Sequence, residues 1–468
     1  MVFSSGIFIF AFLPITLIMY YLFPGVRVKN AILIISSLVF YAFGEPVYIL
    51  LMLASTVANY LLGIIVASEK KVIRKLGLIA AVVLNISVLV VYKYSGFIVS
   101  NINSIVGTHF RVPVITLPIG ISFFTFQALS YVIDVYRNRN MCQKNYFYVL
   151  LYISFFPQLV AGPIVRYEDI YNQINKRQFR VKNVAEGIRR FIFGLAKKVL
   201  VANVMGEVAD SCFAYGFEDY NILIAWIAAV TYMLQIYYDF SGYSDMAIGL
   251  AGMFGFSLKE NFNYPYRAGS IKEFWRRWHI SLSSWFKDYL YIPLGGNKKN
   301  EIRTCINKFI VFFVTGLWHG ANWTFVVWGI IHGTFSMMES YGIIPIEKMK
   351  KNIIGRFIGH IYTLLVVMLA FVIFRADTLG EGLFIIKEMF IGIHMSATSI
   401  TWILSKLTPY FIVVFVVAVL FSMPITRIMK KKLRDIEWIS YVISVFLLVL
   451  CVLSLSSANY NPFIYFQF

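Results

Sequence analysis

The chain is short of charge. Only 14% of its 468 residues are Asp, Glu, Lys or Arg, against 59% apolar, whereas a soluble globular domain carries about 25% charged residues. That shortfall excludes a water-soluble enzyme. Cysteine is scarce too: Cys142, Cys212, Cys305 and Cys451 are scattered without CxxC or metal-ligand spacing, so neither a disulfide framework nor a metal site is expected. Acidic residues number 23 against 42 basic ones. The basic residues fall in short clusters between apolar runs, where membrane topology places them, and nucleic acid is not expected as a partner. Linkers rich in Pro or Ser, low-complexity tracts and evident internal repeats are missing from the sequence, so residues 1–468 read as a single transmembrane domain.

What the chain has in abundance is apolar sequence, in runs long enough to cross a hydrocarbon layer of roughly 30 Å as helices of about 20 residues. The clearest are Gly6–Phe23, Val47–Ala67, Leu76–Tyr92, Val114–Ile133, Ile222–Tyr238, Phe357–Phe374, Tyr410–Ile425 and Trp438–Leu455. Lipid offers the backbone no hydrogen-bond partners, and unbroken apolarity excludes the alternation of a β-barrel, so these runs are expected to be helical. The expected fold is all-α and polytopic, with about ten to twelve crossings. Three further stretches, Tyr146–Val165, Tyr243–Phe256 and Asn307–Glu339, are interrupted by Pro, Gly and polar residues and are expected to form short, broken or re-entrant helices. The first apolar run lacks a basic n-region and a small-residue cleavage site, and is expected to be retained as a helix.

Lys/Arg clusters at Arg27–Lys29, Lys70–Lys75, Arg137–Lys144, Lys176–Lys198, Lys348–Arg356 and Arg427–Arg434 are all cytoplasmic by the positive-inside rule. Alternating crossings between them leave both the N- and C-termini outside a cell membrane. Lys176–Lys198 reads either as a basic amphipathic helix on the anionic inner leaflet or as a topology-setting loop.

Ionisable groups within or beside membrane segments are costly and therefore default candidates for function. In YYDFSGYSDMAIGLAGMFGF, Asp239 and Asp245 flank Ser241, Gly242 and Ser244, a composition that lets the backbone turn, as a pore-lining break or a plain loop. Gly249, Gly252 and Gly255 are expected at close helix packing. NFNYPYRAGSIKEFWRRWHISLSSWFKDYLYIPLGGN is polar yet rich in aromatics, so it is expected to lie along or dip into the membrane surface. His279 sits there beside Arg276, Arg277 and Trp278; taken alone, such a His reads as an ordinary surface residue. In VTGLWHGANWTFVVWGIIHG, His319 lies between Gly316 and Gly320 with Trp318, Trp323 and Trp328 nearby. A buried neutral imidazole both accepts and donates protons near physiological pH, so His319 is either proton-handling or a structural residue bonded to a neighbouring helix. His332 is a weaker candidate of the same kind, and His109, His360 and His394 read as structural.

These blocks, with MVFSSGIFIFAFLPI, LPIGISFFTFQALSYVIDVYR and FFPQLVAGPIVRY, carry a resemblance. The chain resembles the membrane-bound O-acyltransferase (MBOAT) family, in the branch of the alginate O-acetyltransferase membrane subunit. The family's apolar-helix histidine matches His319, and its upstream polar position matches His279. The resemblance implies a helical bundle with a central funnel or tunnel and the histidine at its narrow point. It also implies transfer of an acyl group from a cytoplasmic thioester, acetyl-CoA in this branch, across the membrane to a hydroxyl acceptor. The implied partners are the thioester donor, an extracytoplasmic acetyltransferase or hydrolase-like protein, and a polysaccharide; no bound cofactor is implied.

On that basis His319 is expected to be the base, with His279 orienting a reactant or donating to the oxyanion. Trp318, Asn322 and Trp323 would shape the pocket, Asp239 and Asp245 would support the site, and Arg276, Arg277 and Lys287 would seat the donor's phosphates. Two other readings stay open: D-alanyl transfer to teichoic acid from a carrier-protein thioester, and, in a different class, a solute transporter using Asp239 and Asp245 as ion ligands. Lipid acylation fits this branch poorly.

Overall fold

A computed structural model describes residues 1–177, 179–425, 437–457 and 460–464. Among the described residues every regular element is helical. Six helices among the described residues are long and apolar enough to cross a membrane: Val26–Gly44, Tyr48–Val66, Lys71–Val106, Ile222–Met253, Ile353–Arg375 and Trp438–Ser457. A pair bent by 68°, Ala397–Lys406 with Pro409–Ser422, makes a seventh if counted as one span. The number is smaller than the ten to twelve expected because further helices, among them Phe8–Leu22, Ile121–Arg137, Glu301–His319 and Trp323–Ser340, are shorter or less apolar. Val114–Ile133 is the plainest case: the helix is Ile121–Arg137, and it is almost wholly buried. Gly120, with φ +76°, takes a left-handed turn before it, packed so close that a Cβ would meet Leu159 O at 2.9 Å. The basic cluster Arg427–Arg434 lies outside the described residues.

The chain forms two compact units. The first comprises Met1–Phe191 and Ser244–Lys259. Its interior is aromatic, with Phe8, Phe40 and Phe156 in mutual ring contact and Tyr167 edge-on to both Tyr131 and Tyr152. One polar pair is buried between its helices, a contact typical of membrane helices: Asn85 Nδ2 donates to Asn59 Oδ1 at 2.7 Å. Tyr146–Ser154 and Phe156–Leu159 are separate short helices, the interruption expected there.

The second unit comprises Ile192–Tyr243 and Glu260–Phe468. Tyr232, Tyr266, Trp278, Trp328 and Phe371 are buried at its core. Asn307–Glu339 is broken as expected, into helices Glu301–His319 and Trp323–Ser340 with Gly320–Asn322 between them. Their packing needs glycine: a Cβ on Gly316 would run into the Phe325 backbone, and one on Gly329 into Phe312 O, the small-residue contact typical of membrane helices.

The polar stretch around Asp239 and Asp245 corrects the sequence expectation. Ile222–Met253 is one continuous helix of 32 residues, without a turn at Ser241–Ser244. Its small residues admit close neighbours instead, since a Cβ on Gly242 would lie 2.8 Å from Gly194 O and one on Gly249 2.6 Å from Gly187 O. Gly255 serves differently, with φ +81° just past the helix end. The basic stretch Lys176–Lys198 is helical from Val181 to Ala196, but Lys198 is buried, its Nζ 2.8 Å from Asp239 Oδ1. Burial of that ammonium rules out a lipid-facing role for its part of the stretch.

Candidate active site

His279 and His319, forty residues apart in sequence, line one aromatic neighbourhood in the second unit. His319 is the last residue of helix Glu301–His319, 7% exposed. Its ring lies 5.0 Å from that of Trp318, 5.0 Å from Trp328 and 5.1 Å from Phe374, each near edge-on. Together with Ile236, Phe240, Trp278, Trp328, Phe371 and Phe374 it lines a small pocket. The Trp318 ring also lies 6.0 Å from the His279 ring, so one indole neighbours both imidazoles.

His279 is placed by its local backbone. Asn263 N donates to Arg277 O and Ile280 N to Asn261 O, both at 2.9 Å, which ties residues 261–263 against 277–280. A buried carboxylate anchors the same segment: Glu339 accepts from the free N–H groups of Ile271 and Lys272 at the start of helix Ile271–Trp275, where a negative charge suits the helix N-terminus. At the end of this segment His279 adopts φ +42°, one of two non-glycine residues with positive φ among those described. Such a conformation is uncommon outside glycine, and it turns the chain into helix Ile280–Phe286. The result is an imidazole 1% exposed, facing Phe240 edge-on at 4.5 Å. The expectation of an ordinary surface His is thereby overturned.

His279 stands outside the candidate spans. Burial, and after it the neighbouring His319, push its imidazole well below its usual range near 6.5. The fold therefore holds the neutral ring, while the unfolded chain binds a proton below about pH 6.5, so stability present above that pH is lost as pH falls. The slope from this group approaches about 1.4 kcal/mol per pH unit. Thermal unfolding of the detergent-solubilised protein between pH 7.5 and 5 is expected to show the loss, and His279→Gln to show a flatter dependence. Equal slopes for the two proteins would contradict the assignment.

The other sequence candidates are placed as follows. Trp318 is buried beside both histidines. Asn322 is committed to structure: its Oδ1 caps helix Trp323–Ser340 by accepting from Thr324 N, and its Nδ2 donates to Asp377 O at 3.0 Å. Trp323 is 49% exposed. Arg277 is likewise engaged, donating from Nε and Nη2 to Glu273 Oε1 at 2.9 and 2.8 Å and from Nη1 to Asn263 O, so a phosphate would compete with Glu273 for it. Arg276 and Lys287 are exposed. Asp239 pairs with Lys198 and accepts from Ile464 N. Asp245, in the first unit, accepts from Arg190 Nε and Nη2 at 3.0 and 2.8 Å. His332 is a structural wedge, stacked on Phe274 and accepting from Trp275 Nε1, and His360 Nδ1 lies 3.2 Å from Ala268 O.

Sequence reasoning did not single out Asn261, nor the lining supplied by Ile236, Phe240, Phe371 and Phe374. Asn261 lies eighteen residues from its partner His279 in a segment without helical or strand period. The lining aromatics are indistinguishable in sequence from ordinary core.

The chain is thus a helical membrane protein in which two buried imidazoles, His279 and His319, gather around one indole, a setting suited to proton transfer. The family described as MBOAT, membrane-bound O-acyltransferase, matches residues 135–376, a span that holds both histidines. The chain belongs to the membrane-bound O-acyltransferase family and is an acyltransferase. It is 38% identical to the "Probable alginate O-acetylase AlgI" of Azotobacter vinelandii, with all of both chains covered. It is 35% identical to a peptidoglycan O-acetyltransferase of Helicobacter pylori over 83% of this chain and 80% of that one. A teichoic acid D-alanyltransferase of Bacillus subtilis is 28% identical over half of this chain and 60% of its own.

Proposed function

We propose that the protein takes an acetyl group from a cytoplasmic thioester, acetyl-CoA in the simplest case, and passes it to a hydroxyl acceptor that serves acetylation of an extracytoplasmic polysaccharide. The observation that carries the reading is the pairing of His319 and His279 around Trp318 in a buried aromatic site. The acetyl group and the polysaccharide are supported by the names of relatives matched over all or most of their length; likeness to the D-alanyl branch is weaker and covers half the chain. All basic clusters, and with them the donor, lie on the cytoplasmic side in this scheme, and both termini lie outside.

The chemistry runs as follows. The acceptor hydroxyl gives its proton to His319 as its oxygen attacks the thioester carbonyl. The C–S bond breaks, the ester forms, and the proton passes from the imidazolium to the thiolate, releasing free thiol. A positioned base of this kind contributes about 10²–10⁴-fold. The position of His319 at a helix C-terminus suits it, because the unpaired carbonyls there favour the transient cation. His279 orients a reactant or donates to the oxyanion, its tautomer deciding between the two. Arg276 and Lys287 are the exposed cations left to meet donor phosphates, with Glu273 competing for Arg277.

Proteoliposomes loaded with a soluble glycan and given radiolabelled acetyl-CoA outside test the proposal. Label esterified to an acceptor, with release of thiol, is expected. Uptake of free solute without thioester cleavage would instead favour a transporter, and label incorporated only from a D-alanyl carrier-protein thioester would move the protein to the D-alanyl branch.

A further inference from the structure

We infer that Asn261 is the positioning residue of the site, fixing His279 in the Nδ1–H tautomer so that Nε2 presents a lone pair and accepts a hydrogen bond from the acceptor substrate at a donor other than the reacting hydroxyl, whose single proton goes to His319. The inference deepens the proposed function and rests on it. It starts from Asn261, which is 1% exposed. Its Oδ1 receives three contacts: Ser281 N at 3.1 Å, Ser281 Oγ at 2.9 Å and His279 Nδ1 at 3.2 Å.

The backbone amide decides the orientation. A side-chain amide is ordinarily open to exchange of its oxygen and nitrogen, but the Ser281 N–H only donates, so the atom it meets must be the carbonyl oxygen. An amide oxygen only accepts, hence Nδ1 of His279 must carry the proton it shares with Asn261. A second polar neighbour of Nδ1, Ser281 Oγ at 3.5 Å, gives the same answer. Its hydroxyl proton is directed to Asn261, which leaves a lone pair toward the ring.

With Nδ1 protonated and the ring neutral, Nε2 has no proton to give. It is buried and has no hydrogen-bond partner among the described residues. A neutral His279 in this tautomer cannot donate to an oxyanion; it accepts from a donor on the substrate. Of the two roles left open for His279, the structure thus favours orienting the acceptor. The left-handed backbone at His279 and the Ile280 N to Asn261 O bond hold ring and amide in register, which is the way a partner on the far nitrogen sets ring orientation in other histidine sites.

Two measurements test it together. Protein labelled with ¹⁵N-histidine, in nanodiscs near neutral pH, with the His279 resonances assigned by their loss in His279→Gln, is expected to show a protonated Nδ1 and an unprotonated Nε2. The Nε2–H form would overturn the inference whatever the variants do. In turnover assays Asn261→Ala is expected to lose about 10–100-fold in kcat. Asn261→Asp keeps the acceptor and is expected to regain most of that loss, with the acid limb of its pH profile moved to higher pH by the added negative charge. A merely structural side chain would not move that limb. Wild-type kcat in Asn261→Ala, alongside an inactive His279→Gln, would overturn the inference and leave the proposed function standing. Full activity in His279→Gln would remove His279 from the reaction, and the inference with it.

Discussion

Replacing His319 by alanine is expected to lower acyl transfer by about 10²–10⁴-fold while leaving the protein inserted and folded. The ring lies against those of Trp318, Trp328 and Phe374 and borders a pocket, so its loss enlarges existing space more than it opens a new void. His319→Gln is the sharper comparison, since it keeps bulk and polarity but takes up no proton near neutral pH. Acetyl transfer by proteoliposomes, measured beside thermal unfolding in detergent, separates chemistry from fold. Both variants should unfold near the wild-type temperature and turn over at close to background rate. Wild-type rates in both would end the assignment of His319 as the base.

The largest expected effect on stability belongs to Asp239. Its carboxylate faces Lys198 at 2.8 Å, with both side chains within a few per cent of complete burial. The same pair holds the segment around Phe463: Lys198 Nζ donates to Pro462 O, Asp239 Oδ2 accepts from Ile464 N at 2.8 Å, and the Phe463 ring stacks on Tyr243 at 4.6 Å. Removing one member of a buried pair leaves an uncompensated charge and costs about 3–5 kcal/mol, whereas replacing both by apolar groups of similar volume is often neutral. Asp239→Ala is accordingly expected to yield little folded protein, and Lys198→Met with Asp239→Leu to recover much of the loss. An Asp239→Ala protein with wild-type melting would show that the pair does not carry the structure. A stable double variant with no acyl transfer would instead return Asp239 to the site-supporting role suggested by sequence.

Much of this molecule was legible in the sequence, and for a definite reason. Hydrocarbon solvent tolerates neither unpaired backbone nor unpaired charge, so composition alone excluded a soluble fold and made helices obligatory. The runs Val47–Ala67 and Phe357–Phe374 sit close to helices Tyr48–Val66 and Ile353–Arg375. The break at Gly320–Asn322 was likewise visible. Short polar residues misled at Ser241–Ser244, because Ser and Gly signal a turn in water but serve equally as close-packing residues between helices. Local sequence could not tell the two apart; only the neighbour, Gly194, does so.

The sequence by itself determined that the chain is a helical membrane protein, because hydrocarbon leaves an apolar backbone no other choice, and its motifs marked His319, and by family resemblance His279, as candidates. Tertiary structure alone decided what surrounds those groups. It buried His279 beneath Phe240, gave Arg277 to Glu273 and Asp239 to Lys198, and set Asn261 against Nδ1. Partners such as these come from residues distant in the chain, and a side chain's protonation, direction and availability follow from which partner it meets.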